Sequence, residues 1–345
     1  MFVGFIAFVA LEGDSTNSIN AMNAINSRAE RGYMVNLREL AKKQDIFTPG
    51  HRLCAGCGAG TIMRSVTLAA DLPLVVSSAT GCVEVSSVLY PYSSWRCSFI
   101  HNAFENSAAT MSGVETAHRA LRKRGKLKDE FRFIAFGGDG GSYDIGLQSL
   151  SGAMERGHRM LYCCYNNEAY MNTGVQRSSA TPKGAATTTS PAGKVNQGKK
   201  EFPKDLTAIM VAHRIPYVAQ AAPSHWNDLI TKVQKALAVD GPAFMNIISP
   251  CPLGWRHASE LSMELSRLAV DTCAWPLYEV NSGAYTLTYT PKEKRPLVDW
   301  LKPQGRFKHL FEPQNKNILD ELQAVVDRNW AELLKRCAPS AQEPS

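Results

Sequence analysis

Hydrophobic positions in this chain cluster into short runs separated by longer amphipathic stretches. Several of the runs are apolar on both faces and rich in β-branched and aromatic residues, as buried strands of a parallel sheet are. These predicted strands span residues 72–78, 131–136, 159–165, 215–221 and 243–249. Helical spacing of apolar residues occurs at 106–125, 145–157 and 224–237. The alternation predicts an α/β fold, with a mostly parallel sheet flanked by helices and right-handed crossovers.

Three regions do not follow this alternation. Residues 1–33 begin with an apolar stretch of 11 residues, about half of what a membrane span needs. We interpret 1–33 as an appendage, either disordered or the product of upstream translation, with Met34 as an alternative start. Residues 174–204 are rich in Ser, Thr, Gly and Lys without a period, and a loop of this length is usually functional or disordered. Residues 315–337 predict one amphipathic helix.

The predicted organisation is therefore an appendage at 1–33, a main domain at 34–290, and a basic segment with a helical arm at 291–345. The net charge is +7, and residues 291–309 hold six Lys or Arg against two acids. This segment predicts docking to a protein or a phosphorylated cofactor. Nucleic acid is not expected as a partner, because aromatic residues do not interleave with the basic ones and no nucleic-acid-binding motif spacing occurs.

The cysteine content indicates a reducing compartment. The chain has nine cysteines, an odd number, and their spacing is not that of a small disulfide-bonded scaffold. We expect reduced thiols in a cytoplasmic protein, some of them metal ligands. No segment is long and apolar enough to predict a membrane span.

The most informative motif follows the strand at 131–136. There the chain reads Gly137-Gly138-Asp139-Gly140-Gly141 before a predicted helix. Glycines let backbone amides approach a phosphate, and a helix N-terminus favours negative charge. A carboxylate beside a diphosphate would repel it unless a cation lay between them, so Asp139 predicts Mg²⁺.

A second oxygen-rich motif follows the next strand. Asn167 lies 28 residues after Asp139, and both follow adjacent strands of the predicted sheet. Since ligands bind at the carboxyl ends of parallel strands, we expect the Asn167 side chain and a backbone carbonyl just beyond it to complete the protein's share of the site.

Cysteines at distant positions complete the pattern. Cys54 and Cys57 form a C-x-x-C motif, Cys82 follows the first predicted strand, and Cys251 follows a late one. Four thiolates suit either zinc or a [4Fe–4S] cluster. The spacing alone leaves the two open.

Together these motifs resemble a known family. The Gly-Asp-Gly turn with its spaced asparagine is similar to the thiamine diphosphate fingerprint. The motifs CAGCG, ATGC, NNEAYMNTGVQRSSATPKGA and PCPLGW, in this order, resemble the thiamine diphosphate-binding β subunits of 2-oxoacid:ferredoxin oxidoreductases, in particular those acting on pyruvate. The resemblance runs from about Leu53 to Trp255 and includes the PKEKRP segment, whereas residues 1–33 lie outside it.

The resemblance implies three cofactors for the domain at 34–290: thiamine diphosphate, Mg²⁺ and a [4Fe–4S] cluster. The implied cluster ligands are Cys54, Cys57, Cys82 and Cys251, with Cys82 also close to the thiamine. The implied Mg²⁺ ligands are the side chains of Asp139 and Asn167 and the carbonyl of Ala169. Contacts to thiamine diphosphate are implied for Gly138, Gly140, Gly141, Asn172 and Thr173, besides Asp139, Asn167 and Cys82. The implied catalytic residue is Asn172, near the thiazolium and the 2-oxo acid. The loop at 174–204 is expected to cover the cofactor and to contact another subunit.

The implied activity is oxidative decarboxylation of a 2-oxo acid to acyl-CoA and CO₂, with electrons passed to ferredoxin. Pyruvate is the expected substrate, and branched-chain, aryl or dicarboxylic 2-oxo acids are alternatives. The resemblance covers only the diphosphate-binding half of a thiamine site. Expected partners are therefore a pyrimidine-side α subunit, a γ subunit, a ferredoxin-like δ subunit, ferredoxin and coenzyme A. Two other hypotheses remain: a non-redox thiamine-dependent decarboxylase with structural zinc, and a zinc-binding interaction protein in which the glycine motif is only a turn.

Overall fold

A computed structural model describes residues 36–338 of the chain. Within them, eight strands form one sheet in the order β2-β1-β3-β4-β6-β5-β7-β8. The strands β1 to β6 are parallel, whereas β7 and β8 run antiparallel at one edge. Their bounds are β1 Leu74–Ala79, β2 Ser98–Asn102, β3 Arg132–Gly138, β4 Leu161–Asn166, β5 Tyr217–Ala221, β6 Ala243–Ile248, β7 Tyr278–Asn281 and β8 Ala284–Leu287.

Helices cover both faces of this sheet. The helices are α1 Leu37–Lys42, α2 Gly58–Ala69, α3 Cys82–Ser87, α4 Ser107–Lys123, α5 Leu147–Glu155, α6 Leu206–Ala212, α7 Trp226–Ala238, α8 Pro252–Trp255, α9 Ser262–Asp271, α10 Val298–Leu301 and α11 Lys316–Cys337. Helices α2 and α7 pack on one face and bury side chains such as Ile62 and Val233. Helices α4, α5, α6 and α11 contribute to the apolar cluster on the other face. The predicted α/β class with a mostly parallel sheet is confirmed.

The five predicted strands are β1, β3, β4, β5 and β6, and the four predicted helices are α4, α5, α7 and α11. The predicted strands are buried along nearly their whole length. Strand β2 was not predicted, since it lies at a sheet edge and most of its residues are partly or fully exposed. The edge hairpin of β7 and β8 was missed for the same reason: β8 alternates exposed and half-buried positions.

The basic segment at 291–309 packs on the rest of the fold. Its side chains Leu297, Trp300 and Phe307 belong to an apolar cluster that also contains Trp255 of α8. Arg306 is buried and thus closed to a docking partner. The boundary at residue 290 and the docking role of the arm stay predictions, and the predicted appendage at 1–33 lies outside the described residues. Among the helices between residues 36 and 338, none is long and apolar enough to cross a bilayer.

Candidate functional site

The motifs singled out from the sequence meet at one edge of the sheet. Strands β1, β3, β4 and β6 are neighbours in that order, and all four are parallel. The segments that leave their carboxyl ends carry, in turn, Cys82, the glycine-rich turn, the asparagine motif and Cys251. Because the carboxyl ends of parallel strands form the ligand-binding edge of such a sheet, the fold brings these distant segments together.

The glycine-rich turn is packed too tightly for side chains. Strand β3 ends at Gly138, and a π-helical turn follows from Gly140 to Ile145. A Cβ atom on Gly140 would lie 2.4 Å from the ring of Tyr170, and one on Gly141 would lie 2.8 Å from the carbonyl oxygen of Phe104. The glycines therefore bring the backbone up to the wall of a small pocket, which Gly138, Gly140 and Gly141 help to line.

Asp139 lies buried beneath this turn. Its Oδ2 accepts a hydrogen bond of 2.5 Å from the Ser178 hydroxyl, and its Oδ1 accepts one of 3.2 Å from the backbone N–H of Asn167. Burial raises the pKa of Asp139 to about 7, although these hydrogen bonds oppose the rise. A carboxylate in such surroundings is stabilised by a cation, which fits the expectation drawn from the sequence.

Asp139 and two oxygen-bearing groups beside it have the spacing of a magnesium site. One atom of the Asn167 side-chain amide lies 2.9 Å from both the Ala169 carbonyl oxygen and Asp139 Oδ1. Adjacent ligands of an octahedral ion with bonds of 2.0–2.1 Å lie about 2.9 Å apart. If this amide atom is the oxygen, Asp139, Asn167 and the Ala169 carbonyl fit Mg²⁺. If it is the nitrogen, it donates a hydrogen bond to both of the other oxygens.

The C-x-x-C turn is fixed against the segment around Cys251. The backbone N–H of Gly58 donates to the carbonyl of Pro250 at 3.0 Å. A Cβ on Gly58 would lie 2.8 Å from Pro250 Cδ, and one on Gly56, where φ is +75°, would lie 2.3 Å from the carbonyl oxygen of Ser259. These glycines are thus required for the close contact that brings the two cysteine-bearing segments together.

The cysteines influence one another electrostatically. Burial, aided by neighbouring cysteines, raises the pKa of the Cys57 thiol to about 11 and that of Cys82 to about 12. The pKa of Cys251 is also raised, by burial and by Cys54, although hydrogen bonds from the backbone of Gly254 and Leu253 oppose the rise. All four are free thiols. Because the pKa values of Cys57, Cys82 and Cys251 are raised, metal binding would displace protons from these three thiols.

These four thiols are not placed as the ligands of a single metal ion. A mononuclear zinc site needs its sulfurs at about 2.3 Å from one point. Among residues 36–338, no group of three or more His, Cys, Asp or Glu is close enough to hold a metal ion. The magnesium trio, by which we mean Asp139, Asn167 and the Ala169 carbonyl, is not such a group, because only Asp139 belongs to those residue types.

One pocket connects the two groups of residues. Its wall includes Cys82 together with Gly138, Asn167 and Ala169, and Asn172 and Thr173 also line it. Asn172 and Thr173 are exposed, and the Thr173 hydroxyl is bonded to the Gln176 side chain at 2.5 Å. The structure therefore gathers all the residues selected from the sequence around this pocket: Asp139 lies beneath it, and Cys54, Cys57 and Cys251 lie near Cys82.

Sequence reasoning missed four residues of this region. Tyr165 lines the pocket with a buried hydroxyl that has no hydrogen-bond partner, Ser178 bonds Asp139, and Glu168 forms a buried ion pair with Arg306. Tyr165 could have been identified from its position at the end of strand β4, because side chains there lie close to a ligand bound at the carboxyl edge of the sheet. Glu168 and Ser178 lie within the motif that carries the family resemblance, but no pattern gave them a role, and Arg306 is 138 residues from Glu168.

The ion pair holds the segment that carries Asn167. Glu168 has φ of +66°, a backbone conformation that costs energy outside glycine. Its carboxylate accepts a hydrogen bond of 2.5 Å from Arg306, and both side chains are almost completely buried. The guanidinium of Arg306 also stacks 4.3 Å from the ring of Trp255. This pair therefore fixes the loop after β4 from behind.

Removing one partner of this pair is expected to be costly. Arg306→Met should lower the free energy of unfolding by about 3–5 kcal/mol, because it leaves the Glu168 charge buried without compensation. Chemical denaturation followed by circular dichroism measures the change. Lys308→Met, an exposed position in the same segment, should change stability little. Equal destabilisation by the two variants would contradict the structural role of the pair.

Comparison with known proteins agrees with this geometry. Residues 79–247 match the family model described as thiamine pyrophosphate enzyme, C-terminal TPP binding domain. The chain is 51% identical to pyruvate synthase subunit PorB of Thermotoga maritima, over 87% of this chain and 96% of the relative. It is 50% identical to the PorB subunit of Methanocaldococcus jannaschii, over 83% and 95%.

More distant relatives have related names. The ketoisovalerate oxidoreductase subunit VorB of Pyrococcus abyssi is 41% identical over 85% of this chain and 93% of its own length. A solved 2-oxoglutarate:ferredoxin oxidoreductase from Magnetococcus marinus aligns with a TM-score of 0.52 over 68% of this chain and 82% of that chain, at 21% identity. That likeness shows a shared fold. By its identity to the PorB subunits over nearly their whole length, the chain belongs to the family of pyruvate synthase β subunits within the 2-oxoacid:ferredoxin oxidoreductases.

Proposed function

We propose that this chain carries thiamine diphosphate, Mg²⁺ and a [4Fe–4S] cluster in a pyruvate:ferredoxin oxidoreductase complex. The main support is the position of Cys82. It lines the pocket that Gly138, Asn167 and Ala169 also line, which we call the cofactor pocket, and it lies among the other three cysteines. Bound there, thiamine diphosphate would supply the nucleophilic carbon that attacks a 2-oxo acid, and the cluster would accept the electrons released on decarboxylation. A zinc ion at the same cysteines would have no such role.

In this proposal the oxygen groups hold the ion, and the ion holds the diphosphate. Asp139, Asn167 and the Ala169 carbonyl would be the Mg²⁺ ligands, a set that suits a hard cation. Ser178 orients the Asp139 carboxylate by its hydrogen bond, and the glycine-rich turn leaves room for phosphate oxygens. The loop at 174–204 would thus serve as the cover that the sequence predicted, since its Ser178 reaches the acid.

The thiols would form the exit for electrons. Cys54, Cys57, Cys82 and Cys251 would be the cluster ligands, and the backbone N–H of Gly254 points at Cys251 Sγ from 3.4 Å. Hydrogen bonds of this kind to a cluster sulfur raise its reduction potential. An electron leaving the pocket would pass first to the cluster at Cys82, because that ligand is shared with the pocket wall.

Pyruvate is the substrate favoured by the comparison. The two pyruvate synthase subunits are 51% and 50% identical to the chain, against 41% for the ketoisovalerate enzyme. Coenzyme A as acyl acceptor, ferredoxin as electron acceptor, and α, γ and δ subunits as partners remain part of the proposal. The complex would lie in the cytoplasm, where free thiols such as these nine stay reduced.

The experiment that tests this function is turnover by the purified complex under anaerobic conditions. Acyl-CoA formation and ferredoxin reduction are measured for pyruvate, 3-methyl-2-oxobutanoate, phenylpyruvate and 2-oxoglutarate. We expect the highest kcat/KM with pyruvate, and brown protein in which the β chain holds about four iron atoms in addition to those of the ferredoxin-like δ subunit. A colourless complex that contains zinc and releases an aldehyde would instead support the non-redox decarboxylase.

Asn172 is the residue we propose to contact the 2-oxo acid. Asn172→Ala should lower kcat/KM for pyruvate by about 10- to 100-fold, the usual range for a lost hydrogen bond to a charged group. Affinity for thiamine diphosphate should change little, because Asn172 is not among the magnesium ligands. Steady-state assays and calorimetric titration measure the two effects. Asn196→Ala, an exposed asparagine in the following loop, is the control; a loss confined to cofactor affinity in Asn172→Ala would contradict the substrate contact.

A further inference from the structure

The segment that carries Asn172 and Thr173 is a short hairpin, residues 170–176, which we call the tip hairpin. Two backbone hydrogen bonds join Tyr170 and Gln176 across it, with N···O distances of 2.9 and 3.1 Å. The tip hairpin follows strand β4, and its end reaches the wall of the cofactor pocket, where Asn172 and Thr173 lie. Whatever fixes the end of this hairpin therefore fixes both residues.

The turn at the end of the tip hairpin is not a conformation that its residues favour by themselves. Val175 has φ of +63°, which is unfavourable for a β-branched residue. The N–H groups of Gly174 and Val175 both donate to the carbonyl of Met171, at 3.2 and 3.3 Å. Asn172 and Thr173 are exposed, so little packing holds their side chains. The position of these two residues therefore depends on hydrogen bonds.

The side chain of Gln176 closes the turn. Its Nε2 donates to the backbone carbonyl of Thr173 at 2.8 Å, and its Oε1 accepts from the Thr173 hydroxyl at 2.5 Å. Because both bonds reach the same residue, the amide holds the main chain and the side chain of Thr173 together. A Cβ on Gly174 would lie 3.2 Å from Gln176 Nε2, so glycine at that position leaves room for the amide. We call this pair of hydrogen bonds the clamp.

The clamp fixes the direction in which the Thr173 hydroxyl donates. Since Gln176 Nε2 donates to a carbonyl, the amide oxygen faces the hydroxyl, which must then be the donor. The other oxygen near this hydroxyl is the Tyr170 carbonyl at 3.5 Å, which can only accept. A hydroxyl has a single proton, so a closed clamp leaves the Thr173 hydroxyl without a proton for a phosphate oxygen.

The rest of the tip hairpin is held from outside. The Thr188 hydroxyl donates to the Gly174 carbonyl at 2.9 Å, and the Thr188 N–H donates to the Val175 carbonyl at 3.0 Å. Neither bond reaches Thr173 or the residue before it. In the part of the chain that the structure describes, Gln176 is the one side chain that hydrogen-bonds to this pair of residues. Its loss would leave the pocket end of the hairpin without such support.

We propose that Gln176 is a positioning residue for the 2-oxo acid: it clamps Thr173 so that the neighbouring Asn172 stays at the wall of the cofactor pocket. The Thr173 hydroxyl belongs to this clamp and does not hold the diphosphate. Without the clamp the tip hairpin is mobile, and the entropy lost in ordering it opposes substrate binding. The inference deepens the proposed function and rests on it, because the substrate contact of Asn172 is part of that proposal.

Two variants of the anaerobic complex separate an effect on the substrate from an effect on the cofactor. Gln176→Ala and Thr173→Val should each raise KM for pyruvate about 5- to 10-fold, the effect of one neutral hydrogen bond. Because the bound acid orders the hairpin again, kcat should fall less than about threefold. Calorimetric titration should show thiamine diphosphate affinity within about threefold of the native value, since the magnesium trio is unaltered.

Two outcomes of these assays would overturn the proposal. A large loss of cofactor affinity in Thr173→Val that is absent from Gln176→Ala would assign the hydroxyl to the diphosphate. A native KM in Gln176→Ala would show that the clamp does not serve the substrate. The double variant adds a further check: its KM should lie within about twofold of that of Gln176→Ala, because both changes remove the same hydrogen bond. Multiplied effects would contradict the clamp.

Hydrogen exchange tests the clamp without any turnover. In the complex without substrate, the amides of Gly174 and Val175 should exchange about fivefold faster in Gln176→Ala than in the native chain. Gln197→Ala is the matched control, because Gln197 Nε2 bonds the Gly193 carbonyl of its own hairpin at 2.9 Å and does not line the cofactor pocket. This control should change neither the exchange of those amides nor the KM for pyruvate.

The exchange result also separates this inference from the proposed function. Native exchange of the two amides in Gln176→Ala would refute the clamp, whatever the activity. Faster exchange in that variant, with a native complex that converts no 2-oxo acid to acyl-CoA, would leave the clamp standing and refute the proposed function. Exchange in the remaining sheet reports whether each variant is folded.

Discussion

Asp139→Asn is expected to abolish Mg²⁺-dependent binding of thiamine diphosphate, with an affinity loss of more than about 100-fold. Loss of a group that merely supports a metal ligand already costs 10- to 100-fold, and Asp139 is the one carboxylate of the magnesium trio. The variant keeps the size and the Ser178 hydrogen bond of the native side chain but removes its charge. Calorimetric titration of the anaerobic complex with the cofactor, with and without Mg²⁺, measures the loss.

The matched control is Asp144→Asn, five residues along the same turn. Asp144 is half-buried and bonded to Ser179 and Lys204, but it does not line the cofactor pocket. Its replacement should leave cofactor affinity within about threefold of the native value, since only peripheral hydrogen bonds change. Visible absorption should show an intact cluster in both variants. If Asp139→Asn bound the cofactor as well as Asp144→Asn does, the turn would not be a magnesium site.

The sequence was sufficient for the centre of the sheet but not for its edges. Strands β3 and β4 are buried on both faces, so almost every residue in them is apolar and the signal is continuous. Strand β2 reads SFIHN, with two apolar residues in five and one fully buried position. Such a segment becomes a strand because β1 offers its unpaired edge. Pairing of this kind depends on a neighbour distant in sequence, and no local pattern contains it.

The candidate site likewise has one part that the sequence predicts and another that it does not. The diphosphate turn and Asn167 could be predicted together because carboxyl ends of adjacent parallel strands must meet. The support behind them could not, because the partner of Glu168 is Arg306, in a segment that the sequence marked only as basic. The positive charge of residues 291–309 suggested an exposed docking surface. The burial of Arg306 against Trp255 instead makes this residue part of the core. Charge counts do not show which member of a basic segment turns inward.

Cys82→Ser is expected to remove electron transfer to ferredoxin while leaving cofactor binding intact. A serine hydroxyl is a poor ligand for the iron that thiolate sulfur binds. The iron content should therefore fall, by up to about four atoms per β chain relative to the native complex, and the broad visible absorption should weaken. Affinity for thiamine diphosphate should change less than about threefold, because the magnesium ligands are unaltered. Iron analysis, absorption spectra and ferredoxin reduction measure these effects on one preparation.

Cys97→Ser is the control that separates a ligand from a buried thiol. Burial raises the pKa of Cys97 to about 12, as it does for Cys82. No other cysteine contributes to the pKa of Cys97, whereas the pKa of Cys82 is raised by Cys54, Cys57 and Cys251. A general sensitivity of the fold to the loss of a buried thiol would affect both variants alike. Full iron content in Cys97→Ser and depleted iron in Cys82→Ser would assign Cys82 to the cluster, and full iron in both would exclude Cys82 from it.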